Sequence, residues 1–448
     1  MGGALARRPA HSAAGALALL LILSLGLASC QRVWVARPAP RAEVSPSVRF
    51  GAEPTIRVRI RETVTTAELA SGRALFVRTP GSGTVVLHGS VRVSVEGGVV
   101  TLTPTGAAAS GVVSAGELRV PAGDGRLLEI APTSGSLMVD GVAYPGFVHV
   151  VPRSDAGPAA FDLIATMPME IYVAGVIARE LYPSWRPATF EAQAIAARSY
   201  ALHERARAQA SGRRFDVEST TRDQVFGGET TLPVALAGAR ATRGVVLTTE
   251  GEILRAYYSS TCGGRAAGAT ETWPSGTGFE FNHAPPLRAT TRTCDCSASG
   301  LHRWERTRTV SELSDRLRAW GRTHRGEVAR LGAVRTIRVA ERNATGRASV
   351  FEIEDVRARR VRMRAEDFRV ASNYPAVGAP EITRATRVPS GDADVEVRGG
   401  VVHYRGRGFG HGVGMCQFGA QQMAGAGANW QAILSRYYPG SESRRLYP

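Results

Sequence analysis

Glu180 stands in the turn "RELYPSW", residues 179–185, between two stretches of helical spacing. A carboxyl in the last turn of a helix meets the negative end formed by unpaired carbonyls, which disfavours a second negative charge. Leu181, Tyr182 and Trp185 follow at once and would partly desolvate it. Both effects raise a carboxyl pKa, and a carboxyl held neutral near pH 7 can act as a general acid. From position alone, the alternative is a solvated glutamate paired with Arg179, Arg186 or Arg198. A second group is "RGRGFGHGVGMCQFGAQQMA", residues 405–424, with glycine at every second position from Gly406 to Gly414 around His411. It is not a phosphate loop, because Met415 and Cys416 follow Gly414 and the chain has no lysine; it also lacks the G-x-G-x-x-G spacing of a dinucleotide site. The third group is Cys262, Cys294, Cys296 and Cys416. Four cysteines allow three disulfide pairings, and a bridge from Cys294 to Cys296 would be strained by the single residue between them. The alternative is a structural zinc held by Cys294, Cys296, His302 and either His283 or Cys262. A metal-dependent hydrolase ranks last, since no H-E-x-x-H helix is present.

The elements that must position these groups follow from periodicity. Residues 55–166 alternate with period two, as in "TIRVRI" and "VRVSVEGGVVTLT", and read as a β-rich unit. At Met169 the period changes: Ile171, Ala174, Ile177 and Leu181 predict a helix that stops before Pro183. A second helix begins near Pro187, carries Phe190, Ala194, Ala197 and Ala201 on one face, and stops at Gly212. "STTRDQVFGG" reads as a loop. Hairpins are expected around Glu250-Gly251 and near Asn343 to Gly346, with a short amphipathic helix in "SELSDRLRAWG". "VVHYRG" reads as the last strand, followed by two final helices. The fold class is α+β: a β-rich N-terminal part joined to a helical and mixed β core. The expected division is 55–166 β-rich, 167–300 helices and cleft, 301–395 an α+β subdomain, and 396–448 the glycine-rich loop and C-terminal helices closing the cleft.

The 448 residues are 44% hydrophobic, enough for a substantial core in two or three units. The net charge of +16 comes wholly from arginine and favours polyanionic neighbours. The arginines are scattered rather than interleaved with aromatics, so nucleic acid is not the expected partner. Arg7 and Arg8 precede an apolar run from Ala13 to Ala28, a signal-peptide pattern over residues 1–29. Leu27-Ala28-Ser29-Cys30 resembles a bacterial lipobox, which predicts lipidation at Cys30 and a flexible tether over residues 30–54. The protein is expected in the cell envelope as a lipoprotein facing the periplasm. Gln31, rather than Asp, after the cysteine points to the outer membrane.

The stretches "PMEIYVAGVIARELYPSWRPATFEAQAIAARSYAL", "STTRDQVFGG", "AYYSSTCGG" and "GRGFGHGVGMCQFGAQQMAGAG" resemble, in order, the motifs of the stage II sporulation protein D family, which includes the amidase enhancers. The resemblance covers residues 55 to 440 and implies action on peptidoglycan. The sporulation protein is a lytic transglycosylase of glycan strands stripped of stem peptides, and its catalytic glutamate falls on Glu180. It implies one carboxyl that protonates the glycosidic oxygen and then deprotonates the muramyl 6-hydroxyl, giving a 1,6-anhydro sugar with no cofactor. Asp223 is the nearest candidate for a second acid. His411 and Gln417 would hydrogen-bond the glycan, with the glycines letting backbone amides approach it; the alternative is a tight strand-to-helix corner with His411 in the core. Gln193, Arg198, Gln224, Tyr257 and Ser260 are weaker substrate-binding candidates from the other motifs. Some relatives carry a Cys/His zinc in the region after the third motif. The competing implication is a non-catalytic wall-binding protein that stimulates a cell-wall amidase.

Overall fold

The computed structural model describes residues 51–79, 83–105, 117–121, 127–291 and 294–448. The signal segment, Cys30 and most of the tether lie outside the described residues. The alternating stretches form two sheets. One has seven strands, in the order Val217–Glu218, Thr55–Val64, Phe161–Pro168, Phe147–Pro152, Leu128–Pro132, Ala74–Thr79 and Gly83–His88. The other has six, running from Val142–Tyr144 through Thr66–Ala70 and Val91–Glu96 to Leu118–Pro121. Period two does its expected work: Ile56, Val58, Val91, Val93, Leu75 and Val77 from both sheets enter one buried cluster. The architecture as a whole is α+β.

Helix α1, Met169–Glu180, continues directly from the strand Phe161–Pro168. Its last turn closes when Leu181 N–H donates to the Ile177 carbonyl, and Pro183 two residues on cannot continue it. Helix α2, Pro187–Ala210, opens with proline at its first position, where the missing N–H costs nothing. It is buried on two sides. Phe190, Ala194, Ala197 and Ala201 face the β core, while Ala192, Ile195, Ala196 and Tyr200 face a second cluster with Leu247, Val413, Met415, Ile433 and Tyr438. Apolar residues on two of its faces place this helix in the interior, and the small alanines let neighbours approach from both directions. A third cluster lies under the two three-stranded sheets formed by Arg303–Thr309, Ala393–Arg398, Val401–Arg407 and by Val334–Arg342, Ala348–Asp355, Arg360–Arg364. The amphipathic helix of this region runs Val310–His324, longer than its sequence signal, with the Thr309 hydroxyl capping the N–H of Glu312 at 3.1 Å.

The glycine-rich stretch is a strand-to-helix corner. Gly408, Gly410, Gly412 and Gly414 all have positive φ, and the stretch lies flush against Tyr257–Gly263 of the third motif. Phe409 and Thr261 exchange backbone hydrogen bonds of 2.8 and 3.2 Å. At Gly414, φ is +70° and an added Cβ would sit 2.0 Å from the Tyr257 carbonyl oxygen. The bare backbone is therefore needed for close approach of the chain to itself.

Candidate active site

Glu180 ends α1, and three other segments converge on it. The loop after Val217–Glu218 is held to α1 by Phe226, whose ring lies 5.0 Å from that of Tyr172 and 6.0 Å from that of Tyr144. That packing brings the Val225 backbone N–H to the Glu180 carboxylate. The helix Gln417–Gly425 brings Gln417, whose Nε2 donates to Glu180 Oε2 at 3.1 Å and reaches Gln193 Oε1 on α2 at 3.5 Å. One turn later on the same face, Gln421 Oε1 accepts from the Thr189 hydroxyl and the Arg186 backbone N–H, both at 2.9 Å, and so fastens this helix to the start of α2. The fourth segment is the short strand Tyr258–Ser259, paired in parallel with Met415–Cys416. There the Ser260 carbonyl accepts from Phe418 N–H at 3.1 Å.

Burial pushes the Glu180 carboxyl above its ordinary pKa, and the hydrogen bonds from Gln417 and Val225 only partly offset it. Among the described residues no arginine forms an ion pair with it: Arg198 is committed to Glu170, and Arg179 donates to the Gly227 carbonyl at 3.4 Å. The buried phenols of Tyr172 and Tyr258 lie near enough to feel its charge. Beside it, Tyr182, Trp185 and Phe418 form an aromatic group with ring centroids 5.1 to 6.1 Å apart. Tyr182 is 45% exposed and the other two are half-buried. A protonatable carboxyl next to accessible aromatic faces can deliver a proton to a bound sugar that stacks on those faces.

Gln417 and Gln193 are thus gathered at Glu180, and fully buried Gln193 Nε2 has no hydrogen-bond partner among the described residues. The remaining candidates lie elsewhere. Arg198 is completely buried, bonded to Glu170 and to the carbonyls of Val245 and Ala239, so it is an internal ion-pair residue. Gln224 spends its amide on Tyr172, Ala197 and Tyr258. Tyr257 donates to Asn282 and stacks on Trp273 with centroids 4.2 Å apart. His411 packs against Trp273 and lines a small cavity with Glu271, Arg347 and Glu366; burial pushes its pKa down to about 4, so it is neutral. Asp223 has one oxygen bonded to the Tyr200 hydroxyl and the other to the Glu218 N–H. Neither His411 nor Asp223 hydrogen-bonds Glu180 among the described contacts.

The expected metal set also changes. His283 Nε2 contacts the Ser275 carbonyl at 2.9 Å, away from the cysteines, because the short 3₁₀ turn Glu280–His283 carries it to the surface. Cys262, Cys294, Cys296 and Cys416 bring their sulfurs within 4.8 Å of one another, and all are free thiols. His302 sits behind them, Nδ1 3.4 Å from Cys296 Sγ. The sequence grouped Cys416 with the other cysteines but did not mark it as a metal ligand, nor Gln421 as the fastener; the i, i+4 repeat of glutamines was the available signal for the latter.

The family model described as Stage II sporulation protein matches residues 159–255, which include Glu180, and a model described as a domain of unknown function matches residues 287–414. Over residues 159–255 the chain is therefore similar to the stage II sporulation protein family. It is 27% identical over 311 residues to an uncharacterized protein of Brachyspira hyodysenteriae, covering 69% of this chain and 74% of the relative. It is 26% identical to the amidase enhancer of Bacillus subtilis, over 60% of this chain but only 39% of that protein. It is also 26% identical to stage II sporulation protein D of Bacillus amyloliquefaciens, over 62% of this chain and 74% of the relative.

Proposed function

We propose that this chain is a lytic transglycosylase of peptidoglycan glycan strands stripped of their stem peptides. The observation that carries the reading is Glu180: a carboxyl raised in pKa by burial, with no cationic partner among the described residues, beside accessible aromatic rings. It protonates the oxygen linking N-acetylmuramic acid to N-acetylglucosamine. The carboxylate left behind, held by Gln417 and Val225, takes the proton of the muramyl 6-hydroxyl as that oxygen closes on the anomeric carbon. The acid is regenerated, a 1,6-anhydro end forms and no water is consumed. Ordinary glycosidases flank the bond with two carboxylates; here Asp223 is already engaged by Tyr200 and Glu218. No cofactor enters these steps.

The coarser conclusion, a cell-wall-related role, follows from the family. A second reading is favoured by the likeness to a protein named as an amidase enhancer: a non-catalytic activator that binds the wall and acts through an amidase. Incubation of purified protein with stripped strands separates the two. Anhydromuramyl products detected by mass support the transglycosylase, and binding without cleavage supports the activator.

The aromatic group supplies a further expectation. Trp185→Ala or Phe418→Ala should raise KM about tenfold with a smaller change in kcat, the loss of roughly 1.4 kcal/mol of sugar stacking present in ground and transition states alike. A kcat-only effect would remove these rings from substrate binding. The envelope location rests on Cys30, for which we expect a diacylglyceryl-modified cysteine at the mature N-terminus. Intact mass of the membrane-extracted protein checks it, and a mature chain without acyl mass refutes it.

A further inference from the structure

The four clustered cysteines come from three distant stretches. Cys262 follows the strand Tyr258–Ser259, Cys294 and Cys296 stand in one loop, and Cys416 ends the partner strand Met415–Cys416. Cys262, Cys296 and Cys416 are buried and Cys294 is half-buried. We propose that these four residues form a closed tetrathiolate site for one zinc-class divalent cation, and that Cys416, as a ligand, holds the following residue, Gln417, against Glu180.

The spacing supports a metal. A tetrahedral ion with Zn–S bonds of about 2.3 Å sets its sulfurs about 3.8 Å apart. Cys262 Sγ and Cys296 Sγ are 3.9 Å apart, and all four sulfurs lie within 4.8 Å of one another. A disulfide needs about 2.05 Å, and the pairing of Cys294 with Cys296 would be strained, whereas two corners of a tetrahedron suit a Cys-x-Cys pair. The surroundings are those that thiolates require. Cys416 Sγ accepts from the backbone N–H groups of Cys262 and Gly419, each at 3.4 Å, the second being the cap of the helix Gln417–Gly425. Tyr437 places its hydroxyl 3.1 Å from Cys294 Sγ, and His302 its Nδ1 3.4 Å from Cys296 Sγ. These are outer partners of the kind that orient metal ligands. On binding, each thiol gives up its proton and its sulfur lone pair goes to the cation; no oxidant is involved. With four thiolates the coordination is complete, so the centre is structural. It would pin the third motif, the loop holding Cys294 and Cys296, and the start of the helix Gln417–Gly425 to one point. Its bearing on catalysis rests on the function proposed above; its existence does not.

The test uses the full chain, purified without chelator. We expect about one zinc per chain by elemental analysis, falling to a small fraction in Cys416→Ser and Cys262→Ser. His283→Ala should keep the full content, while His302→Gln should weaken affinity about 10–100-fold. Cobalt substitution should give thiolate-to-metal charge-transfer bands with tetrahedral ligand-field intensity, a readout that survives if the cysteine variants fail to fold. Removing the metal should raise hydrogen exchange in Gln417–Gly425 while the β sheets stay protected. If the transglycosylase reading fails, metal content and exchange still decide this proposal. Protein free of stoichiometric metal, with disulfides among these four residues by peptide mapping, overturns it, as does a cobalt spectrum without thiolate charge transfer. Unchanged exchange in the Gln417 helix after metal loss overturns the positioning role.

Discussion

Glu180→Gln is expected to abolish glycan cleavage while leaving the fold and glycan binding intact. Glutamine keeps the length of the side chain and its hydrogen bonds to Gln417 and Val225, but it has no proton to deliver. General acid–base assistance is worth about 10²–10⁴-fold, and because one carboxyl performs both transfers the loss should reach the upper end or pass it. The fall should appear in kcat. Glu180→Asp should also be badly impaired, since its carboxyl is withdrawn by one methylene. The wild-type pH profile has a definite sign: the acid must be protonated to start the reaction, so turnover falls as pH rises through the folded pKa, which burial holds above the ordinary carboxyl range. Stability carries the same signature. A raised folded pKa means that the native state holds the proton more tightly than the unfolded chain, so this contribution is complete below the unfolded pKa of 4.5 and is lost as pH rises through the folded value. Glu180→Gln never ionises, and its melting temperature should gain on the wild type from acid to neutral pH. Full turnover in Glu180→Gln, measured as anhydromuramyl release from stripped strands, would refute the assignment.

What could be seen in the sequence was local. Helices α1 and α2 were legible because apolar spacing, Pro183 and Pro187 all speak within a few residues, and the hairpin at Glu250-Gly251 because that pair adopts positive φ at both positions. The strand Glu442–Arg445 was not legible: all four residues are exposed, so it has no alternation, and only its pairing with Val245–Thr249 defines it. The candidate site depended on the same difference. Gln417 reaches Glu180 through a two-residue strand pairing between the third and fourth motifs, a long-range contact that periodicity does not encode. For Cys416, the sequence near Cys294 and Cys296 offers histidines as ligands, whereas the fold supplies a cysteine 120 residues away from Cys296. Arg198 carried a readable signal. It lies at i+4 from Ala194 and three residues before Ala201, inside the apolar stripe of α2, where an arginine points to the interior and needs a buried carboxylate.

That placement makes Arg198→Ala the sharpest test of structure against substrate binding. The guanidinium makes two hydrogen bonds to Glu170, of 2.9 and 2.6 Å, and a third of 2.9 Å to the Val245 carbonyl, with no exposed surface of its own. Glu170 also accepts from the Tyr447 hydroxyl at 2.7 Å and the Gly244 N–H at 3.1 Å, so the pair ties the first turn of α1 to the middle of α2 and to the C-terminal residues. Removing one partner strands a carboxylate in the interior, a loss of about 3–5 kcal/mol. Arg198→Met combined with Glu170→Gln should recover much of it, because no lone charge remains and the glutamine carbonyl still accepts from Tyr447 and Gly244. The pH dependence has the opposite sign to that of Glu180. Burial pushes the Glu170 carboxyl up, but the Arg198 charge and the hydrogen bonds from Arg198, Tyr447 and Gly244 outweigh it and hold the pKa below the ordinary value. That contribution is present above the unfolded pKa of 4.5 and is lost as pH falls through the folded value. Calorimetry across this range should show wild-type stability declining on acidification, and the decline should shrink in Arg198→Ala as the carboxyl loses its cation. Glycan affinity of the folded variant should change little. A large loss of affinity with an unchanged melting temperature would return Arg198 to the substrate.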